Sequence, residues 1–305
     1  MQGWMTLFRQ TFAEFGEDRA QRLGAALAYY TIFAIAPLLL IAIAIAGSVF
    51  GREAAQGDVV AQFRGAIGDA AANALQEMIR SAAKPKSGAI ATIIGVVALL
   101  LGAAGVVQEL KDALNTIWNV EPQPSGGIMK KVRQQFLSIT MVLGVGFLLL
   151  VSLLIDTFIA TVGKYASHAL PGGNVVWHVV QLAVSLAVIT FLFAMIFRFL
   201  PDTNIEWRDV WFGAAFTSLL FVIGKLALGL YLGRSSIGSS YGAAGSLIVL
   251  LLWIYWSAQI LFLGAEFTQV YARTYGSRIG DTSWADAKTT GVRAVDRTKT
   301  EAVAK

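Results

Sequence analysis

The stretch Ala26–Gly47, ALAYYTIFAIAPLLLIAIAIAG, carries no charge. As a helix it is long enough to cross the roughly 30 Å hydrocarbon core of a bilayer. A chain built on such runs cannot wrap them around one aqueous core. In lipid every backbone amide must be satisfied within the segment, which leaves helices and closed barrels. Six apolar spans are read along the chain, at Arg22–Phe50, Gly88–Val107, Phe136–Val162, Val175–Leu200, Val210–Leu232 and Ala243–Tyr271. No strand-like alternation competes with the helical reading. The expected fold is therefore all-α, a polytopic membrane bundle of six transmembrane helices.

Composition agrees. Charged residues make up 14% of the chain and apolar ones 56%, against about 25% charged in soluble domains. The formal charge of +5 suits basic loops at a membrane face better than a nucleic-acid surface, and no nucleic-acid partner is expected. Cysteine is absent. That excludes disulfides, thiolate metal sites and thiol nucleophiles. The start MQGWMTLFRQTFAEFGED has no basic segment leading into a short apolar one, so no cleaved signal peptide is expected.

The basic residues set the orientation. Arg9, Arg19, Arg22, Lys111, Lys130, Lys131, Arg133, Arg198, Arg208 and the tail share one face; Arg52, Arg64, Arg80, Lys84, Lys86, Lys164 and Arg234 share the other. The first face outweighs the second, placing both termini in the cytoplasm of a multi-pass inner-membrane protein. Residues 1–21 read as an amphipathic interfacial helix, with Trp4, Phe8, Phe12 and Phe15 as its apolar stripe. Residues 22–275 form the six-helix membrane domain, and 276–305 a polar, disordered tail. In the first loop Val60, Phe63, Ile67, Ala71, Ala74 and Met78 recur at helical spacing. They suit a helix on the outer surface or a lid over a cavity. A further amphipathic turn follows the second span, at Val107, Leu110, Leu114 and Ile117. No internal repeat is read.

Three long motifs carry a resemblance: ALAYYTIFAIAPLLL in the first span, RFLPDTNIEWRDVWFGAAFTSLLFVIGK across the fourth loop and fifth span, and YGAAGSLIVLLLWIYWSAQILFLGAEFTQVYA in the last. Together they resemble the YihY/BrkB family of bacterial inner-membrane proteins, over roughly Leu23 to Ala272. The resemblance implies six transmembrane helices with both termini inside. It implies no single activity, since labels in the family include ribonuclease, serum-resistance factor and exporter.

Polar groups inside the spans are the candidate functional residues, because an ionisable side chain at membrane depth costs about 2.5–3.5 kcal/mol on insertion scales. Asp156 and Lys225 both fall in the outer half of the membrane. They either pair across a cavity, or Asp156 surfaces with its span while Lys225 snorkels. Glu266 stands near the inner end of the last span behind Gly264 and Ala265, and Arg198 at similar depth in the fourth span. A Glu266–Arg198 pair is expected, as a structural lock or as an ion-coupled gate. Gln259 and Ser257 lie mid-helix and bond across helices or touch a substrate. Pro37 frees a carbonyl near Phe33 and kinks the first span. Tyr29 and Tyr30 point about 100° apart. One of them anchors at the interface and the other lines a polar cleft with Thr31, unless both belong to an aromatic belt. Tyr241 and Tyr231 flank the Gly/Ser-rich fifth loop, which is either a turn or the mouth of a cavity.

Enzyme chemistry is not expected. His168 and His178 are the only histidines, without an HExxH pattern or a Walker A sequence. Asp202, Glu206 and Asp209 are scattered along a short loop in which Asp202 caps and Trp207 joins an aromatic belt. No metal or cofactor is expected. Three functions remain: a transporter or exporter of a small polar or amphiphilic solute, a lipid-handling protein with a lateral groove, and a non-transporting envelope scaffold. The partners expected are the bilayer and an unidentified solute or lipid, and a homo-oligomer is compatible with the sequence. A wet cavity holding the buried charges favours the first function, a groove open to lipid the second and a solid bundle the third.

Overall fold

The computed structural model describes residues 2–50, 57, 72–73, 75–79, 105–120, 173–234 and 245–277, and every regular element among them is helical. Asp156, Tyr241, the third span and the tail beyond 277 lie outside the described residues, as does the second span before residue 105. We label α1 (Gln2–Glu17), α2 (Ala20–Phe50), α3 (105–117), α4 (Gly173–Phe199), α5 (Trp207–Arg234) and α6 (Gly245–Thr274). The spans read at Arg22–Phe50, Val175–Leu200, Val210–Leu232 and Ala243–Tyr271 thus appear as helices displaced by no more than three residues at either end. Leu182–Phe199, Trp207–Leu232 and Leu247–Thr274 are each long and apolar enough to cross a membrane. Only 11% of the Leu182–Phe199 stretch is buried within the structure, a surface that water would not tolerate and lipid does.

α6 is the hub, packed against α5, α2 and α1. Its junction with α5 follows from two short sequences, GAAFT (213–217) and GAEFT (264–268). The Thr268 side chain fills the space a β-carbon on Gly213 would take, and Thr217 does the same at Gly264. Each hydroxyl donates back to its own helix, Thr217 to the Gly213 carbonyl at 2.7 Å and Thr268 to the Gly264 carbonyl at 2.6 Å. Neither hydroxyl is therefore left unpaired in an apolar contact. Phe216 and Phe267, equivalent in the two sequences, stack at 4.0 Å. The antiparallel helices meet as a local inverted repeat, an exception to the absence of repeats expected from sequence.

α1 turns against this junction through a two-residue corner. Arg19 adopts φ 53° there, a left-handed conformation costing about 1–2 kcal/mol outside glycine, while the Asp18 amide donates to Glu14 at 2.9 Å and Arg22 to Arg19 at 2.8 Å. The face of α1 that packs is Leu7, Thr11, Glu14 and Phe15, with Phe8 at 5.8 Å from both Phe216 and Phe267. Of the expected stripe, Phe8 and Phe15 lie against protein and Trp4 stacks on Phe212 and Tyr275, while Phe12 is 61% exposed. The helix therefore has a protein partner besides its exposed apolar face.

In the first loop Ala72, Leu75 and Ile79 are buried, and Met78 of the expected stripe is half-buried against the same cluster. Val60, Phe63, Ile67, Ala71 and Ala74 lie outside the described residues. Ala72 packs with Ala28 and Ile32 of α2 and with Val249, Leu250 and Ile254 of α6. This segment is part of the bundle rather than resting on headgroups.

One end of the bundle gathers α1, the α4–α5 loop and the end of α6. Lys111 of α3 pairs with Asp202 at 2.8 Å, and the Asn115 and Asp202 groups exchange two hydrogen bonds at 2.8 and 3.1 Å. Asp209, fully buried in the first turn of α5, accepts from the Ser277 amide at 3.0 Å and hydroxyl at 2.6 Å. The described N- and C-terminal residues therefore lie together.

Candidate functional site

α6 buries almost every residue from Ala258 to Ala272, yet it is not wholly apolar. Gln259, Glu266 and Arg273 recur at intervals of seven. Seven residues turn an α-helix through 700°, within 20° of two full turns, so the three line one face over about 21 Å. Gln269 stands on the edge of that face and accepts from Arg273 at 2.9 Å. The result is a polar seam running down the hub helix, on the side that α1 and α2 cover.

At the upper end Gln259 abuts α2. A β-carbon on Gly24 would meet its Nε2, so glycine there lets the Gln259 carboxamide lie against α2. Both polar atoms of the Gln259 carboxamide are buried without a hydrogen-bond partner among the described residues. That costs about 1–3 kcal/mol per unmet group. Glu266, two turns on, has no exposed surface. At the lower end Arg273 reaches Glu14 of α1 across 3.2 Å, both side chains largely buried. The seam thus holds two acids and one base in a low-dielectric setting, where each charge is worth far more than in water.

The other sequence candidates fall elsewhere. Arg198 donates to the Ile205 carbonyl and lies with its guanidinium carbon 5.7 Å from the Trp207 ring centre. These two partners close the α4–α5 loop, and the cation seven residues from Glu266 on the same face of α6 is Arg273. Lys225 is exposed on α5 beside Ile223 and Leu226. Tyr29 and Tyr30 are 60% and 43% exposed and meet edge to face at 5.8 Å. Tyr29 also meets Phe33 at 5.1 Å, and Tyr30 packs beside Gly105. Neither tyrosine faces the seam, which α2 approaches through Gly24 and Leu27, and Thr31 donates to the Leu27 carbonyl at 2.7 Å. The helix continues through Pro37 to Phe50. With Gly24 level with Gln259, the antiparallel register carries Pro37 to the first turn of α6, at the far end of the contact rather than its middle.

Glu14, Gln269 and Arg273 were not singled out in the sequence. The signal for Arg273 was available in the seven-residue spacing from Gln259 and Glu266. Glu14 gave none, because its role depends on α1 folding back.

A second feature is an open cleft of about 380 Å³ at the end that holds both described termini. Arg198, Asn204, Ile205, Glu206, Trp207 and Arg208 line it. In α3, burial first and the Asp112 charge second raise the Glu109 carboxyl above its usual value.

A family profile described as "Virulence factor BrkB" matches residues 11–289. A UPF0761 membrane protein of Verminephrobacter eiseniae is 29% identical over 272 residues, covering 87% of this chain and 62% of the relative. One from Alcanivorax borkumensis is 27% identical, covering 84% and 58%. A Bacillus subtilis protein named as ribonuclease-like, YfkH, is 24% identical, covering 86% of this chain and 94% of its own. The chain spans 48% to 62% of the length of the first three UPF0761 relatives it matches. No solved structure matches.

Proposed function

Because the chain belongs to the BrkB family of membrane proteins, we propose that it carries a small polar or amphiphilic solute across the bacterial inner membrane, along the α6 face that holds Gln259, Glu266 and Arg273. Six spans with both termini in the cytoplasm go with this reading. One observation carries it: a fully buried glutamate in line with a buried amide that has no hydrogen-bond partner among the described residues. A chain selected for packing alone fills the position of Gln259 with leucine, because burying a carboxamide without compensation costs several kcal/mol. The seam is sealed in this conformation by Gly24 above and Glu14 below. Parting α2 from α6 gives the Gln259 carboxamide water or solute to bond, which recovers the cost. Glu266 is then the group at which a coupling proton or cation is held. No residue set for ribonucleolytic chemistry enters this reading.

The test begins with cells carrying or lacking this gene, comparing metabolites inside and outside without preselection. The solute found is then followed in liposomes containing the purified full chain. Glu266→Gln is expected to slow its flux at least tenfold with normal expression. Equal flux for the variant and the parent rules Glu266 out.

A further inference from the structure

The cleft where α4 hands over to α5 is not part of the seam, and its chemistry is different. Two of its lining residues are cations, Arg198 and Arg208, and one is an anion, Glu206. Besides Glu206, the nearby acids Asp202 and Asp209 are turned to other partners. Asp202 is held by Lys111 and Asn115, and Asp209 by the Ser277 amide and hydroxyl. Arg198 commits one terminal N–H to the Ile205 carbonyl, leaving further donors on a guanidinium that has five. That bond and the Trp207 face beneath it fix the guanidinium in place, which lowers the entropy lost when a ligand is gripped. The cleft also opens at the start of a 28-residue helix, whose dipole favours negative charge.

The rings beside the cleft say where it sits. Phe199, Trp207, Trp211 and Phe191 form a continuous ladder with centres 5.9, 6.3 and 6.2 Å apart, and all four are exposed. Phe199 and Trp207, at the helix ends, mark the headgroup level, and Trp211 and Phe191 continue from it along the helices. An occupant that satisfies both halves has a phosphate for the arginines and a hydrocarbon body for the rings.

The geometry points to a binding site for the phosphate headgroup of an anionic phospholipid in this cleft, with Arg198 and Arg208 as its cationic ligands and Trp207 as its wall. The lipid belongs to the leaflet at this end of the bundle, and its chains lie along Trp211 and Phe191. Asn204 and Glu206 stand at the rim, where Glu206 accepts from headgroup hydroxyls and disfavours a bare, doubly charged phosphate.

The full chain, purified and exchanged into phosphatidylcholine nanodiscs with and without phosphatidylglycerol, tests this by native mass spectrometry. The parent is expected to retain one phosphatidylglycerol and no specific phosphatidylcholine. Arg208→Gln and the Arg198→Gln, Arg208→Gln pair weaken retention, the pair by about tenfold. Arg9→Gln, an exposed arginine on α1, does not. Arg208 is exposed and makes no hydrogen bond or ion pair among the described residues, so its variant stays informative even if loss of Arg198 unfolds the loop. Equal retention by the parent and Arg208→Gln overturns the site. Inorganic phosphate added to the loaded nanodisc is expected to leave the lipid bound. Displacement by phosphate at the affinity of the lipid itself overturns the lipid in favour of a soluble phosphate ligand.

Discussion

Thr268 sets its side chain where a β-carbon on Gly213 would go, while donating its hydroxyl to the Gly264 carbonyl at 2.6 Å. The stiff Thr268 side chain meets that position with its hydroxyl, β-carbon and methyl together. Gly213→Ala therefore forces α5 and α6 apart and costs about 1–3 kcal/mol. Combining it with Thr268→Ser, which removes the methyl, recovers part of the loss. Thermal unfolding in detergent checks both.

Gly24 makes a useful contrast. The atom in its way is the tip of Gln259, a flexible side chain that can swing aside. Gly24→Ala should lower stability by less than about 1 kcal/mol, yet reduce flux more than Gly213→Ala does, because it displaces a seam residue. Flux and unfolding measured on the same two variants separate the effects.

The Glu14–Arg273 pair tethers α1 to the seam. Removing either partner leaves the other charge largely buried, so Glu14→Gln and Arg273→Gln should each destabilise by about 1–3 kcal/mol. The double variant should lose clearly less than their sum. Additive losses in the double-mutant cycle would show that the two charges are not coupled.

Glu109 in α3 gives a pH dependence. Its carboxyl is held above the usual 4.5, by burial first and by Asp112 second. The folded chain then binds the proton more tightly than the unfolded chain. The stability this contributes is complete below about pH 4.5 and is lost as pH rises through the folded value. Glu109→Gln should unfold at a higher temperature than the parent at neutral pH, with the gap closing as the pH falls to 4.5. A constant gap across that window would contradict the burial.

Pro37→Ala restores a backbone donor to α2. Since the helix already continues to Phe50, folding should be little changed. A lowered flux is expected if the far end of the α2–α6 contact must open, and unchanged flux removes Pro37 from the mechanism.

The helices α2, α4, α5 and α6 were legible because runs of twenty or more apolar residues admit little else in lipid. Glu266 and Gln259 were legible as costly groups, since depth alone makes them so. Their alignment with Arg273 was legible in principle, from a spacing of seven. The pairing of Glu266 with Arg198 was not a safe inference, because equal depth says nothing about which helices are neighbours or which way a side chain points. Arg198 turns into its own loop instead. That Leu7 and Thr11 of α1 and Ala72, Leu75 and Ile79 of the first loop are buried was not legible, because it depends on which helices those segments fold against. GAAFT and GAEFT are too short to stand out as a repeat until the helices that carry them are seen in contact.

The natural absence of cysteine allows the seam to be probed directly. In Glu266→Cys, the single thiol can be challenged in native membranes with a small, hydrophilic methanethiosulfonate, beside Phe262→Cys one turn earlier. A seam that opens to water predicts that position 266 is labelled over minutes and protected when the solute is added, while position 262 stays unlabelled. If position 266 is as inert as position 262 under every condition, the last helix is solid packing and nothing passes along it.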